Sequence, residues 1–262
     1  MNLPLAELNG VSVDYGRFRA VDDASFTINA GEIVGVVGES GSGKTTALRA
    51  LMGLAPTSVG DVRFEGRSIA KLSTSQRRTV WRDMQMIFQD PSTSLSPYRS
   101  LGASIAEPML AHGANRDEAR ERAEHLLDLV GLERSMTDRR PQALSGGQRQ
   151  RIAIARALAL EPRLIVADEP MSALDVSVKA QIADLFTDLR SRLNIAFLIV
   201  SHDLALIAGI ADRVVVMKQG RVVEQGSTQA VIASPTQAYT RRLKAACLDP
   251  RAVARARFGV AL

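Results

Sequence analysis

Apolar and polar positions alternate along the first thirty residues, with Leu5, Leu8, Val11 and Val13 followed by Phe26 and Ile28. With turns expected at Asn9-Gly10 and Ala30-Gly31, the pattern predicts antiparallel strands that bury one face. The run Ile33-Val34-Gly35-Val36-Val37 is continuously apolar and β-branched, which predicts a strand buried on both faces. A glycine-rich turn and a helix-forming stretch over 46–52 follow, then a short hairpin over 61–69. From about Pro91 to Ala159 strand-like runs vanish. Over 116–130 a helical period places Ala119, Ala123, Leu126, Leu127 and Val130 on one face. Parallel-sheet runs return at 164–167, 196–200 and 214–217, separated by helical stretches. Residues 221–226 read as a closing hairpin strand, and the remainder as a helix and a basic tail.

The predicted fold class is α/β, with a helical lobe inserted into the sheet-bearing core. Its expected division is a core with a β subdomain at 1–90 and 160–228, a helical subdomain at 91–159, and a C-terminal segment at 229–262. The 262 residues suit one large domain with such an insertion. No apolar run approaches the length that crosses a bilayer. Met1–Glu7 lacks the basic start and apolar core of a signal peptide, so a cytosolic location is expected. Cys247 is the single cysteine, which excludes an internal disulfide framework and a cysteine-clustered metal site; it reads as a small, half-buried apolar residue. The net charge is +5, and much of the basic excess lies in Arg139, Arg140, Arg149, Arg151 and Arg156 and in Arg241, Arg242, Arg251, Arg255 and Arg257. No aromatic residues are interleaved with them, so a nucleic-acid partner is not expected.

Chemistry concentrates in three places. Gly38-Glu39-Ser40-Gly41-Ser42-Gly43-Lys44-Thr45 follows a strand and opens a helix, as a phosphate loop requires. Its glycines let backbone N–H groups converge on phosphate oxygens, and the helix N-terminus adds partial positive charge. Lys44 would reach the β- and γ-phosphates and the Thr45 hydroxyl would ligate Mg²⁺. The strand 164–167 delivers Asp168, placed to hold Mg²⁺ through water, and Glu169, placed to polarise an attacking water as general base. Leu144-Ser145-Gly146-Gly147-Gln148 opens a third segment, the helix 149–158. There Ser145 can cap, and the glycines allow an anion to approach.

With Tyr15, Gln89, Ser172-Ala173-Leu174-Asp175 and His202 in the same order, the chain resembles the ATP-binding subunit of an ATP-binding-cassette transporter over roughly residues 5–245. The resemblance implies a P-loop NTPase (RecA-like) core with an antiparallel β subdomain and an inserted α-helical subdomain. It implies ATP and Mg²⁺ as cofactors and two cassettes facing head to tail, each ATP lying between one phosphate loop and the partner's signature loop. By that likeness Glu169, His202, Gln89 and Lys44 are catalytic. The nucleotide-binding set is Tyr15, Gly38, Ser40, Gly41, Ser42, Gly43, Lys44, Thr45, Thr46, Ser145, Gly146, Gly147 and Gln148. Thr45, Gln89 and Asp168 serve the metal, Tyr15 stacks on adenine, and Asp175 sits at the dimer seam.

Ile87-Phe88-Gln89-Asp90-Pro91 with Ser94-Leu95-Ser96-Pro97, the stretch 169–178, and Pro235-Thr236-Gln237-Ala238-Tyr239-Thr240 resemble the dipeptide/oligopeptide/nickel importer branch. That likeness implies a second cassette, identical or a paralogue, two transmembrane permease subunits, and indirectly an extracytoplasmic solute-binding protein. The implied location is peripheral, on the cytoplasmic face of the membrane. Met171 departs from the threonine or valine usual in that branch, and no cysteine-rich tail is present. Leu95, Pro97, Tyr98 and Leu101 are the expected docking surface for a permease helix, with packing of the helical lobe as the alternative. A soluble cassette ATPase of an assembly or remodelling complex, and an exporter subunit, are the other readings.

Overall fold

Across residues 3–247, which the computed structural model describes, the strands divide between two sheets. The smaller sheet has the order β2-β1-β4-β5 and is antiparallel. Its strands are β1 (Ala6–Tyr15), β2 (Phe18–Ile28), β4 (Val59–Phe64) and β5 (Arg67–Ser68). Asn9-Gly10 is not the turn that its composition predicts. β1 runs straight through it, and pairing steps from Leu8↔Phe26 to Val11↔Ala24, one residue more on β1 than on β2. The extra residue is a bulge, with Gly10 at φ +61° and its N–H donating to the Ser25 hydroxyl. It moves the buried face from Ala6 and Leu8 to Val11 and Val13, which explains the three-residue gap in the apolar pattern. Chain reversal occurs instead at Gly16-Arg17.

The larger sheet has the order β10-β9-β3-β8-β7-β6, parallel throughout except for β10. It comprises β3 (Ile33–Val37), β6 (Met84–Ile87), β7 (Leu164–Asp168), β8 (Ala196–Ser201), β9 (Arg213–Lys218) and β10 (Arg221–Ser227). β3, β7 and β8 are buried along their whole length, as their unbroken apolar runs predict. β6 gives no such signal, because Gln85 interrupts a short edge strand.

One face of this sheet packs on α1 (Lys44–Leu51) and the small sheet, through Val34, Val36, Leu48, Leu51 and Val13. The other face packs on α6 (Gly146–Leu158), α7 (Val176–Leu193) and α8 (Leu204–Ile210). α2 (Thr74–Asp83) leads into β6, opened by a capping box between Ser73 and Gln76. α3 (Pro91–Ser94), α4 (Leu101–Ala111) and α5 (Arg116–Leu129) join α6 in a helical cluster whose centre includes Ile105, Ala123, Leu126 and Ile152. The C-terminal region holds two helices where one is expected: α9 (Thr228–Ala233) and α10 (Ala238–Cys247). Pro235 lies between them and cannot extend a helix, having no N–H to give. The expected basic tail with Arg251, Arg255 and Arg257, and the side chain of Cys247, lie outside the described residues.

Candidate functional site

Because β3, β6, β7 and β8 run parallel, their carboxyl ends reach one edge of the sheet, where ligands of open α/β sheets bind. In register, Val37 lies beside Ser201, Ala167 beside Ile87, and Asp168 beside Val200. At these ends or within two residues beyond them lie Gly38, Gln89, Asp168-Glu169 and His202. The four segments are far apart in sequence and adjacent in space.

The loop 38–43 leaves β3 and enters α1. At its first residue a Cβ would run into the Met217 carbonyl oxygen of β9, so only glycine fits there. Gly43 has φ +96°, and a Cβ on it would lie 2.6 Å from the Ala20 carbonyl oxygen of β2. Ser42 is buried between them and its carbonyl accepts the Gly220 N–H at 2.9 Å. Ser40 and Gly41 stand exposed at the tip, and Thr46 is half-buried in the first turn of α1. Lys44 is 5 % exposed, and its ammonium donates to the Gly38 and Glu39 carbonyls at 2.8 and 2.9 Å. Burial pushes its pKa below the ordinary lysine value, partly opposed by Glu169 and Asp168.

The two acids of β7 point to different partners. Asp168 is buried and accepts the Thr45 hydroxyl at 3.0 Å; burial pushes its carboxyl pKa up, against the pull of that hydrogen bond. Glu169 has φ +46°, its N–H donating to the Val200 carbonyl at 3.0 Å. That turn sends its carboxylate the other way. One oxygen lies 3.2 Å from His202 Nδ1 and accepts from Gln89 Nε2 at 3.5 Å. Gln89 and His202 are exposed, so this cluster borders solvent. Met171, buried, lines a small cavity beside Ser201, His202 and Leu206.

Ser145-Gln148 forms a separate feature. Ser145 Oγ accepts the Gln148 N–H at 3.3 Å and Gln148 Oε1 accepts the Ser145 N–H at 3.0 Å, a reciprocal capping box on α6. Gly146 and Gly147 are the first helical residues. A Cβ on Gly147 would lie 2.6 Å from Val178, and one on Gly146 would lie 3.3 Å from Leu174. These glycines therefore let the start of α6 pack closely on the start of α7, a requirement that local sequence does not reveal. Asp175 precedes α7, exposed, with no side-chain capping bond. Tyr15, at the end of β1, is 47 % exposed and pairs across the hairpin with Phe18; it is not a core residue.

The expected docking surface needs correction. Leu95 and Leu101 are 3 % and 0 % exposed and belong to the core under the helical cluster, while Pro97 and Tyr98 are exposed. The apolar character of the two leucines reflects packing. The structure instead opens a groove of about 310 Å³ between β6 and the helical cluster, lined by Leu54, Trp81, Met86, Phe88, Pro108 and Arg156. Leu54 and Phe88 are large apolar side chains left 55 % and 46 % exposed. The signal for Phe88 lies in the sequence, beside Gln89, but its exposure does not.

The family model described as ABC transporter matches residues 21–172. The oligopeptide transport ATP-binding protein OppD of Mycobacterium tuberculosis is 46% identical over 235 residues, 90% of this chain and 38% of that protein. The glutathione import ATP-binding protein GsiA of Salmonella typhimurium is 48% identical over 228 residues, 87% of this chain and 37% of its own length. The chain thus spans well under half the length of both. A Brucella ovis ATP-binding protein, whose name assigns it provisionally to peptide import, is 44% identical over 94% of this chain and 80% of its own length. Among solved structures, cbiO1 from Clostridium perfringens, part of the ABC transporter complex cbiONQ, superposes with a TM-score of 0.83 at 26% identity, covering 98% of this chain and 96% of that one. A dimeric ATP-binding cassette in a post-hydrolysis state bound to ADP and Pi gives 0.76 at 30% identity, covering 85% and 98%.

Proposed function

The chain belongs to the ABC transporter family, and from that premise we propose that it is the ATP-hydrolysing subunit of an importer of peptides or a related small solute. The observation that carries this reading is one sheet edge bearing a phosphate loop, a buried Asp168 and the Glu169–His202–Gln89 cluster. The N–H groups of residues 41–45 and the N-terminus of α1 receive the phosphates of ATP, with Lys44 shifting from its loop carbonyls to the β- and γ-phosphates. Tyr15, exposed at the end of β1, stacks on the adenine.

The Thr45 hydroxyl and the Asp168 carboxylate are hard oxygen donors in mutual contact, and they fit Mg²⁺, which keeps several of its waters. Gln89, which rests against Glu169 in the nucleotide-free site, would be the further group on the metal. Bound there, the cation would neutralise charge on the phosphates. Glu169 takes the proton of a water that attacks the γ-phosphorus as the bond to the bridging oxygen breaks. Gln89 orients that water, and His202 donates to the γ-phosphate.

The second loop serves a second cassette, identical or a paralogue. Ser145, exposed, offers its hydroxyl hydrogen, which the capping box leaves free, and the half-buried Gly146, Gly147 and Gln148 stand with it at the helix start. In this reading residues 1–90 and 160–228 form the nucleotide-binding core, 91–159 the helical subdomain, and 229–262 a C-terminal segment. No helix among the described residues is long and apolar enough to cross a membrane. Two permease subunits would supply that path, one docking a helix in the groove at Leu54 and Phe88, with a solute-binding protein outside. The cassette then works at the cytoplasmic face of the membrane. The names of the relatives support the solute class.

Glu169→Gln tests the assignment. The variant is expected to bind ATP, to accumulate as a closed dimer on size-exclusion chromatography, and to lose about 10²-fold or more in turnover. Near-normal hydrolysis would sink the general-base role.

A further inference from the structure

The phosphate loop is gripped from outside by the C-terminal helix. The Glu39 N–H donates to the Tyr239 hydroxyl at 3.0 Å, joining residues 200 apart in sequence. Tyr239 lies in α10, 6 % exposed, with the Lys218 ammonium of β9 5.2 Å from its ring centroid. Burial pushes its phenol above the ordinary tyrosine value, so the hydroxyl stays neutral.

Both main-chain polar groups of Glu39 are thus held, the N–H by Tyr239 and the carbonyl by Lys44 and the Ser42 N–H. The two holds differ. Lys44 must leave the carbonyl to reach a phosphate, whereas Tyr239, 6 % exposed on α10, carries a neutral hydroxyl with no phosphate to reach and can keep its bond. The helix that carries Tyr239 is itself fastened to the core. Glu224 of β10 accepts the Thr236 N–H at 2.7 Å, the Thr236 hydroxyl at 2.9 Å and the Gln237 N–H at 3.2 Å. The same β9–β10 hairpin contributes Gly220, which donates to the Ser42 carbonyl. The stretch 235–240, which marks a subgroup in sequence and has no part in the chemistry, therefore closes a frame around the loop.

We propose that Tyr239 is a positioning residue of the nucleotide site: its hydroxyl fixes the Glu39 amide and keeps the phosphate loop in the shape that receives ATP. The inference rests on the proposed function. Tyr239→Phe in the full-length chain removes one hydroxyl and keeps the buried ring. Loss of one partly buried hydrogen bond is expected to weaken binding of a fluorescent ATP analogue about 5- to 10-fold. In the same variant the KM for ATP rises, kcat at saturating ATP is retained, the nucleotide-free melting temperature falls by no more than the few degrees that one hydrogen bond contributes, and the Glu39 amide exchanges faster with solvent. Unchanged affinity in the variant, with wild type binding normally, would overturn the positioning role alone. A joint fall in affinity, kcat and melting temperature would also overturn it, since that marks general support of the fold. Wild-type protein that binds no ATP analogue would overturn both this inference and the proposed function.

Discussion

At Glu169 a φ of +46° turns the chain out of β7, and two neighbouring carboxylates diverge, one toward Thr45 and the other toward His202. A non-glycine residue held there is strained by about 1–3 kcal/mol. The bond from its N–H to Val200 and the buried strands on either side hold it in place. Strain of the opposite kind is avoided at Gly43. Gly43→Ala combines φ +96° with a Cβ 2.6 Å from the Ala20 carbonyl, a backbone atom that cannot rotate away. It is expected to lower stability by about 1–3 kcal/mol, read as a lower urea midpoint, and to abolish ATP binding. A wild-type midpoint would contradict the close approach. Gly38, Gly43, Lys44 and Thr45 are legible as a loop from their spacing alone. Why Gly147 must be glycine is not, because its constraint comes from Val178 on another helix.

Elements show the same division. The capping box on α6 is local, so Ser145 and Gln148 announce it three residues apart. The bulge at Gly10 is local too, yet Asn-Gly reads first as a turn; only the shift of buried positions from Leu8 to Val11 gives it away. α10 depends on a partner outside itself, since Glu224 holds Thr236 and Gln237, the two residues that lead into it. Burial alone would raise that carboxyl, but the donors from Thr240, Thr236 and Gln237 together outweigh it and hold the pKa below the ordinary glutamate value. A depressed carboxylate stabilises the fold above its unfolded pKa and loses that contribution as pH falls through the lower, folded one. Protection of the Thr236 and Gln237 amides in hydrogen exchange is therefore expected to persist through the ordinary glutamate range, about pH 4.3, and to fade only below it. Loss of protection already at mildly acid pH would contradict the clamp.

For the whole molecule, the large sheet separates two apolar cores, one shared with α1 and the small sheet, the other with the helical cluster. The groove opens where β6 meets that cluster, directly before Gln89, so an occupant there would sense the state of the nucleotide site. Leu54→Asp puts a charge on an already exposed position and is expected to abolish co-purification with a permease subunit while the protein melts as wild type does; retained association would remove Leu54 from the docking surface. The α/β class, the buried strands, the glycine-rich loop 38–45, the Asp168-Glu169 pair and the capped α6 are legible in the chain, because each rests on periodicity or on residues a few positions apart. Tertiary structure alone decided that Leu95 and Leu101 are core, that Leu54 and Phe88 are left uncovered, and that Tyr239 reaches Glu39. Those outcomes depend on which surfaces meet across tens to hundreds of residues. Burial and hydrogen bonding are properties of that meeting and leave no period in the chain.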